Sequence, residues 1–132
     1  MRTPSPKKAD RRWIVAFWIY FCLLLFISLA AYLRWIPARV ADYDKFGHLF
    51  LIGTAGILSH QALGERMIQL GKISLPLGPI LVTVFSFIDE TLQIFSPARS
   101  YSLIDLMANW IGIWMFYWLL VIIRRLLAQV RE

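Results

Sequence analysis

From Trp13 to Leu33 the chain carries no charged side chain, and this run decides the solvent in which the rest must fold. A helix needs roughly 17–25 apolar residues to cross about 30 Å of hydrocarbon, and Trp13–Leu33 meets that length. Three more apolar segments follow, at about 46–63, 73–95 and 103–123. The second is short and interrupted by His48, Ser59 and His60, so it crosses only where protein or thinned lipid covers its ends. The third opens with Pro76 and Pro79, which a first helical turn tolerates because its N–H groups have no partners within the helix. With 59% hydrophobic residues and a mean hydropathy of +0.62, the chain is too apolar to hide its surface as a soluble domain.

The expected fold is therefore all-α, an integral membrane four-helix transmembrane bundle. It forms one domain over 13–123, with a basic tail before it (1–12) and another after it (124–132). Arg2, Lys7, Lys8, Arg11 and Arg12 precede the first span, Arg66 and Lys72 lie between the second and third, and Arg124, Arg125 and Arg131 follow the fourth. These are ten of the fourteen basic residues, so the positive-inside rule places both termini and the middle connection of a multi-pass membrane protein in the cytoplasm. The net charge of +6 then reports topology and anionic inner-leaflet lipid, and nucleic acid is not an expected partner. Trp13, Tyr32, Trp35, Tyr43, Tyr117 and Trp118 fit interfacial belts. The N-terminus also imitates a cleavable signal, with Ser28, Ala30 and Ala31 after the apolar run. That run exceeds the usual 7–15 residues, so it reads as a retained span. Cys22, alone in mid-span, reads as a small apolar group.

Topology sends three polar pairs to one membrane face. Asp44/His48 open the second span, Asp89/Gln93 close the third and Asp105/Asn109 open the fourth, and each four-residue step puts both members on one helical face. An ionisable group at membrane depth costs roughly 2.5–3.5 kcal/mol on an isolated helix, so such groups normally face each other or a wet cavity. Asp89 and Glu90 are consecutive acids at a helix C-terminus, where the macrodipole disfavours negative charge. They need partners, and Lys45, His48 and Arg99 are the expected ones. Bland roles compete: Asp44 as a helix N-cap, Ser102 with Asp105 as a capping box, Lys45 and Arg99 as snorkelling interface residues. His60 reads as interfacial and outside the site. Gly53, Gly56 and Gly112 permit close helix approach, whereas Gly64 and Gly71 read as helix-end and loop residues.

The strings Asp44-Lys45-x-x-His48, Asp89-Glu90-x-x-Gln93-x-Phe95-x-Pro97-x-Arg99 and Asp105-x-x-x-Asn109-x-x-Gly112 together resemble the signature of VanZ-like membrane proteins, over roughly the last two-thirds of the chain. The chain departs from that pattern at Ile52, where an aromatic residue is common, and at Phe116, where a second glycine is common. The family is named for a protein associated with resistance to the glycopeptide teicoplanin and has no established biochemical activity. The resemblance implies a bacterial cell-membrane location, an architecture and a general envelope role more than a chemistry.

The leading expectation is a membrane factor whose outward pocket binds a lipid headgroup or envelope precursor. Lys45 and Arg99 would meet anionic oxygens, Asp89, Glu90 and Asp105 would orient them or accept hydrogen bonds, and Gln93 and Asn109 would fix the geometry, with Asp44 and His48 in the same pocket. The alternative is an intramembrane enzyme acting on a lipid or isoprenoid phosphate, with His48 as nucleophile or general acid, Asp44 or Asp89 orienting it and Arg99 stabilising phosphoryl charge; His48, Asp89 and Asp105 are the catalytic candidates. Asp44, His48, Asp89, Glu90 and Asp105 also form a hard ligand set of the kind that suits Ca²⁺, Mg²⁺ or Mn²⁺. The basic residues can neutralise the same carboxylates, so no metal or cofactor is expected.

Overall fold

The computed structural model describes residues 7–35, 45–95 and 103–132. Most of them are helical: α1 (Arg11–Tyr32), α2 (Lys45–Ala62), α3 (Leu77–Leu92), extended by a 3-10 turn at Gln93–Phe95, and α4 (Leu103–Val130). Three of these, α1, α3 with its 3-10 turn, and α4, are long and apolar enough to cross a membrane, while the apolar part of α2 (Leu49–Ala62) is shorter. Helix α1 is apolar all round rather than striped. Ala30 is its one buried residue, and Trp18, Ile19, Leu23 and Phe26 are exposed. Such a surface suits lipid and not water.

Helix α2 sits in the middle and touches the other three, α4 most extensively. Its sequence explains the position. Gly53, Ala55, Gly56, Ser59 and Ala62 give it little side-chain volume, so longer helices can come close on several sides. A Cβ on Gly53 would meet the Phe116 ring and the Gly112 carbonyl oxygen, and one on Gly112 would fall on the Leu49 backbone. Ile113, with no exposed surface, fills the space beside Gly56 and packs with Ala55 and Val82. Phe116 does not hold the helices apart, because Gly53 makes the room for its ring.

The sequence reading starts the third span at residue 73, and here the structure differs. Residues 73–76 form a strand, and α3 begins at Leu77. Strand β1 (Met67–Leu70) pairs antiparallel with β2 (Ile73–Pro76), in the register Leu70 with Ile73 and Met67 with Pro76. Gly71, at φ +63°, takes the first central position of the two-residue turn, where primed turns need positive φ. The Leu77 N–H donates to the Arg66 carbonyl (2.9 Å) and closes the hairpin base. Pro76 stays extended and caps α3, and Pro79 falls in the first turn, where its missing N–H costs nothing.

Helix α2 ends in a Schellman motif, with the Glu65 N–H bonded to the His60 carbonyl (2.9 Å) and the Gly64 N–H to the Gln61 carbonyl (3.1 Å). This geometry aims Glu65 at two other parts of the chain. Its carboxylate pairs with Arg124 of α4 and with Lys7 Nζ (3.1 Å), and it accepts from Gln61 Nε2 (3.3 Å). The Lys7 N–H also donates to the Gly64 carbonyl (3.0 Å). Asp10 then caps α1 through the Arg12 N–H (3.0 Å). One acid thus ties the N-terminal segment, the end of α2 and α4 together at the hairpin end of the bundle.

Candidate functional site

At the opposite end, α3 closes and α4 opens. Ser86 and Asp89 are one helical turn apart on α3, and Asn109 faces them from the second turn of α4. Asn109 is 4% exposed, and its Nδ2 donates to Ser86 Oγ (3.0 Å), a buried bond between the two helices. Asn109 Oδ1 is buried with no hydrogen-bond partner among the described residues, an expensive condition that invites a donor. Asp89, half-buried, accepts a long hydrogen bond from Gln93 Nε2 (3.4 Å). Substituting Ser86 by alanine is expected to cost about 1–3 kcal/mol, since it strands the buried Asn109 amide donor. Thermal melting of the detergent-solubilised variant measures this, and an unchanged midpoint would remove the bond from the account.

These residues belong to one end of a larger feature. A groove of about 530 Å³ runs between α1 and α3 with α2 as its floor. Its walls are apolar, with Ile14, Phe17 and Leu24 on one side, Leu81 and Val82 on the other, and Ile52 below. The lining stretches from Ile14 to Ala31 along α1, roughly 26 Å at the helical rise. Trp18, Leu81 and Phe85 on its rim are exposed, so its mouth faces the bundle surface. Partway along, Phe21 and Phe85 meet edge-to-face across it (5.4 Å, 65°). Its polar residues are Ser28, Ser59, Ser86, Asp89 and Asn109, the last three together at one end. Tyr20 helps hold α1 against α2 by donating to the Leu51 carbonyl (2.7 Å).

Of the predicted site residues, Asp89 and Asn109 share this groove, and Gln93 sits beside Asp89. Glu90, one residue on and therefore about 100° around the helix, does not line the groove and is 1% exposed. Asp105 is half-buried in the first turn of α4. Asp44, Arg99 and the side chains of Lys45 and His48 lie outside the described residues. Among the described residues no three His, Cys, Asp or Glu side chains gather as a metal site would require.

Sequence reasoning did not join Ser86 to the site, although a hydroxyl one turn before Asp89 on an apolar helix was the available signal. Two assignments shift inward. His60 lies within the helix packing: it is 5% exposed and packs edge-on against the Tyr117 ring (5.2 Å), with Gly78 of α3 against its backbone. Tyr117 is correspondingly buried at 6% rather than placed in a belt, while Trp13, Tyr32, Trp35 and Trp118 are exposed. No protein-family model, curated protein or solved structure matches the chain.

Proposed function

We propose that this is a membrane protein that binds a lipid, with a hydrocarbon chain lying in the groove between α1 and α3 and the lipid's polar head at the Ser86/Asp89/Asn109 end. The observation that carries the reading is the groove itself. It is long, apolar along its walls and open at the bundle surface, and its hydrogen-bonding groups concentrate at one end. A chain of methylenes needs no partner for most of its length, and a headgroup needs several at one point. In this reading all four helices cross the membrane, and α2 tolerates its shorter apolar stretch because the other three surround it. The hairpin end, where Lys7, Lys8, Arg11, Arg12, Arg66 and Arg124 gather, is cytoplasmic, and the polar end of the groove faces outward.

The assignment of Lys45 and Arg99 to headgroup oxygens belongs to the same proposal, as does membership of a VanZ-like family with a role in the bacterial envelope. Filling the groove tests its core. Ser28→Trp places an indole among the lining residues without touching the α2–α4 contact. Native mass spectrometry of the purified variant should show retained lipid reduced by about tenfold, because a single well-placed side chain can displace a ligand of this kind. Wild-type lipid retention, with helix content and melting unchanged, would refute the groove as the binding place.

A further inference from the structure

We infer that the polar head held at the Ser86/Asp89/Asn109 end is a hydrogen-bond donor, a primary ammonium or a hydroxyl, rather than a bare phosphate. The inference rests on the groove reading above and specifies the chemistry of its outward end. The groups there are mainly acceptors. Asp89 offers carboxyl oxygens, and among the described residues the hydrogen bond it accepts, from Gln93, is long at 3.4 Å. Asn109 donates an amide N–H to Ser86, and its carbonyl Oδ1 is buried with no partner among the described residues. None of the described groove-lining residues is Lys, Arg or His.

A phosphate at this point would meet a carboxylate in a medium of low dielectric, where like charges repel strongly, and would still leave Oδ1 without a proton. An ammonium or hydroxyl reverses both terms. Either supplies the missing proton to Oδ1; the ammonium has further N–H donors and a positive charge for Asp89, and the hydroxyl brings no negative charge to repel it. Leaving a buried acceptor unsatisfied is the kind of penalty that lets a site reject a close analogue lacking one N–H or O–H.

Four dioleoyl lipids separate the possibilities when presented to the delipidated protein in mixed micelles, with bound lipid counted by native mass spectrometry. Phosphatidylethanolamine and phosphatidylcholine share a phosphate and a positive nitrogen, but only the former has N–H donors. Phosphatidate carries the bare phosphate, and dioleoylglycerol carries a hydroxyl with no phosphate. Retention of phosphatidylethanolamine, dioleoylglycerol or both at about ten times the level of the other two is expected. The ethanolamine lipid alone would identify the ammonium, and the glycerol lipid alone the hydroxyl.

Asn109→Leu should bring the favoured lipid down to the phosphatidylcholine level. Asp89→Asn, at a half-buried position where folding is not at stake, should reduce the preference several-fold. Equal retention of phosphatidylethanolamine, dioleoylglycerol and phosphatidylcholine, or a preference for phosphatidate, overturns the inference. So does a preference that survives in both variants. If Ser28→Trp abolishes retention of all four while the heads are not distinguished, the groove reading stands and only the head chemistry fails. If Ser28→Trp changes nothing, the groove reading itself fails.

Discussion

Gly112→Leu is expected to separate α2 from α4 and leave little folded protein. At Gly112 the neighbouring atoms are backbone: a Cβ there would fall on the Leu49 carbonyl oxygen and lie 3.0 Å from the Leu49 Cα. A side chain can change rotamer to make room, but a helix backbone can only translate. Overpacking of a close contact costs about 1–3 kcal/mol and sometimes more, and the rigid neighbour puts this case at or above the top of that range. The loss spreads, because retreat of α4 uncovers Ile113, the Phe116 ring over Gly53 and the Asn109–Ser86 bond together. Ile111→Ala is the control on the same helix. Ile111 is 55% exposed and faces away from α2, so its truncation should leave the melting midpoint close to wild type. The comparison is made by thermal melting in detergent. A Gly112→Leu protein that melts with the wild type would mean that α2 and α4 do not touch at this level.

The same small-residue packing shows what the sequence could and could not display. The uncharged run of α1 and the long apolar stretch of α4 were legible because helices able to cross a membrane advertise themselves by length and hydropathy alone. The glycines at the α2–α4 contact were also legible, since Gly53, Gly56 and Gly112 serve little purpose in a lipid-facing helix. The start of α3 was not. Ile73-Ser-Leu-Pro76 continues the hydrophobicity of the helix behind it, and only the Gly71-Lys72 turn signals that the chain doubles back first.

The polar end of the groove was half visible. Asp89, Gln93 and Asn109 stood out as hydrophilic groups in apolar helices, yet their spacing could not say which neighbours they face. Glu90, adjacent in sequence to Asp89, points elsewhere because one residue of helix turns the side chain by about 100°. The groove itself had no sequence signature. It arises because α2 is too slight to fill the gap between α1 and α3, and a gap is a property of three helices at once.

Glu65 is the residue that sequence reasoning passed over, and reversing its charge should have the second large effect. The argument applied to Asp89 and Glu90 applies here too: an acid just past a helix C-terminus opposes the macrodipole and needs cations nearby. Arg124 and Lys7 supply them. Partial burial alone would raise the Glu65 pKa, but the hydrogen bonds and charges of Arg124 and Lys7 outweigh it and hold the carboxyl at about 2. Because the folded value is depressed below the ordinary 4.5, the carboxylate stabilises the fold fully above that pH. Its contribution shrinks as pH falls towards 2 and is gone below it. Glu65→Gln should flatten this part of the pH–stability profile, measured as melting midpoint between pH 7 and pH 2.5. Glu65→Lys goes further, replacing two attractions by two repulsions. It is expected to lower the midpoint by roughly 10 °C and to release the segment around Lys7 and Lys8, which trypsin would then cut faster. Lys7→Glu combined with Glu65→Lys restores one opposite pair but leaves Arg124 facing a cation, so recovery should be partial. An N-terminal segment equally resistant to trypsin in wild type and Glu65→Lys would show that the backbone bond from Lys7 to Gly64 holds it without the carboxylate.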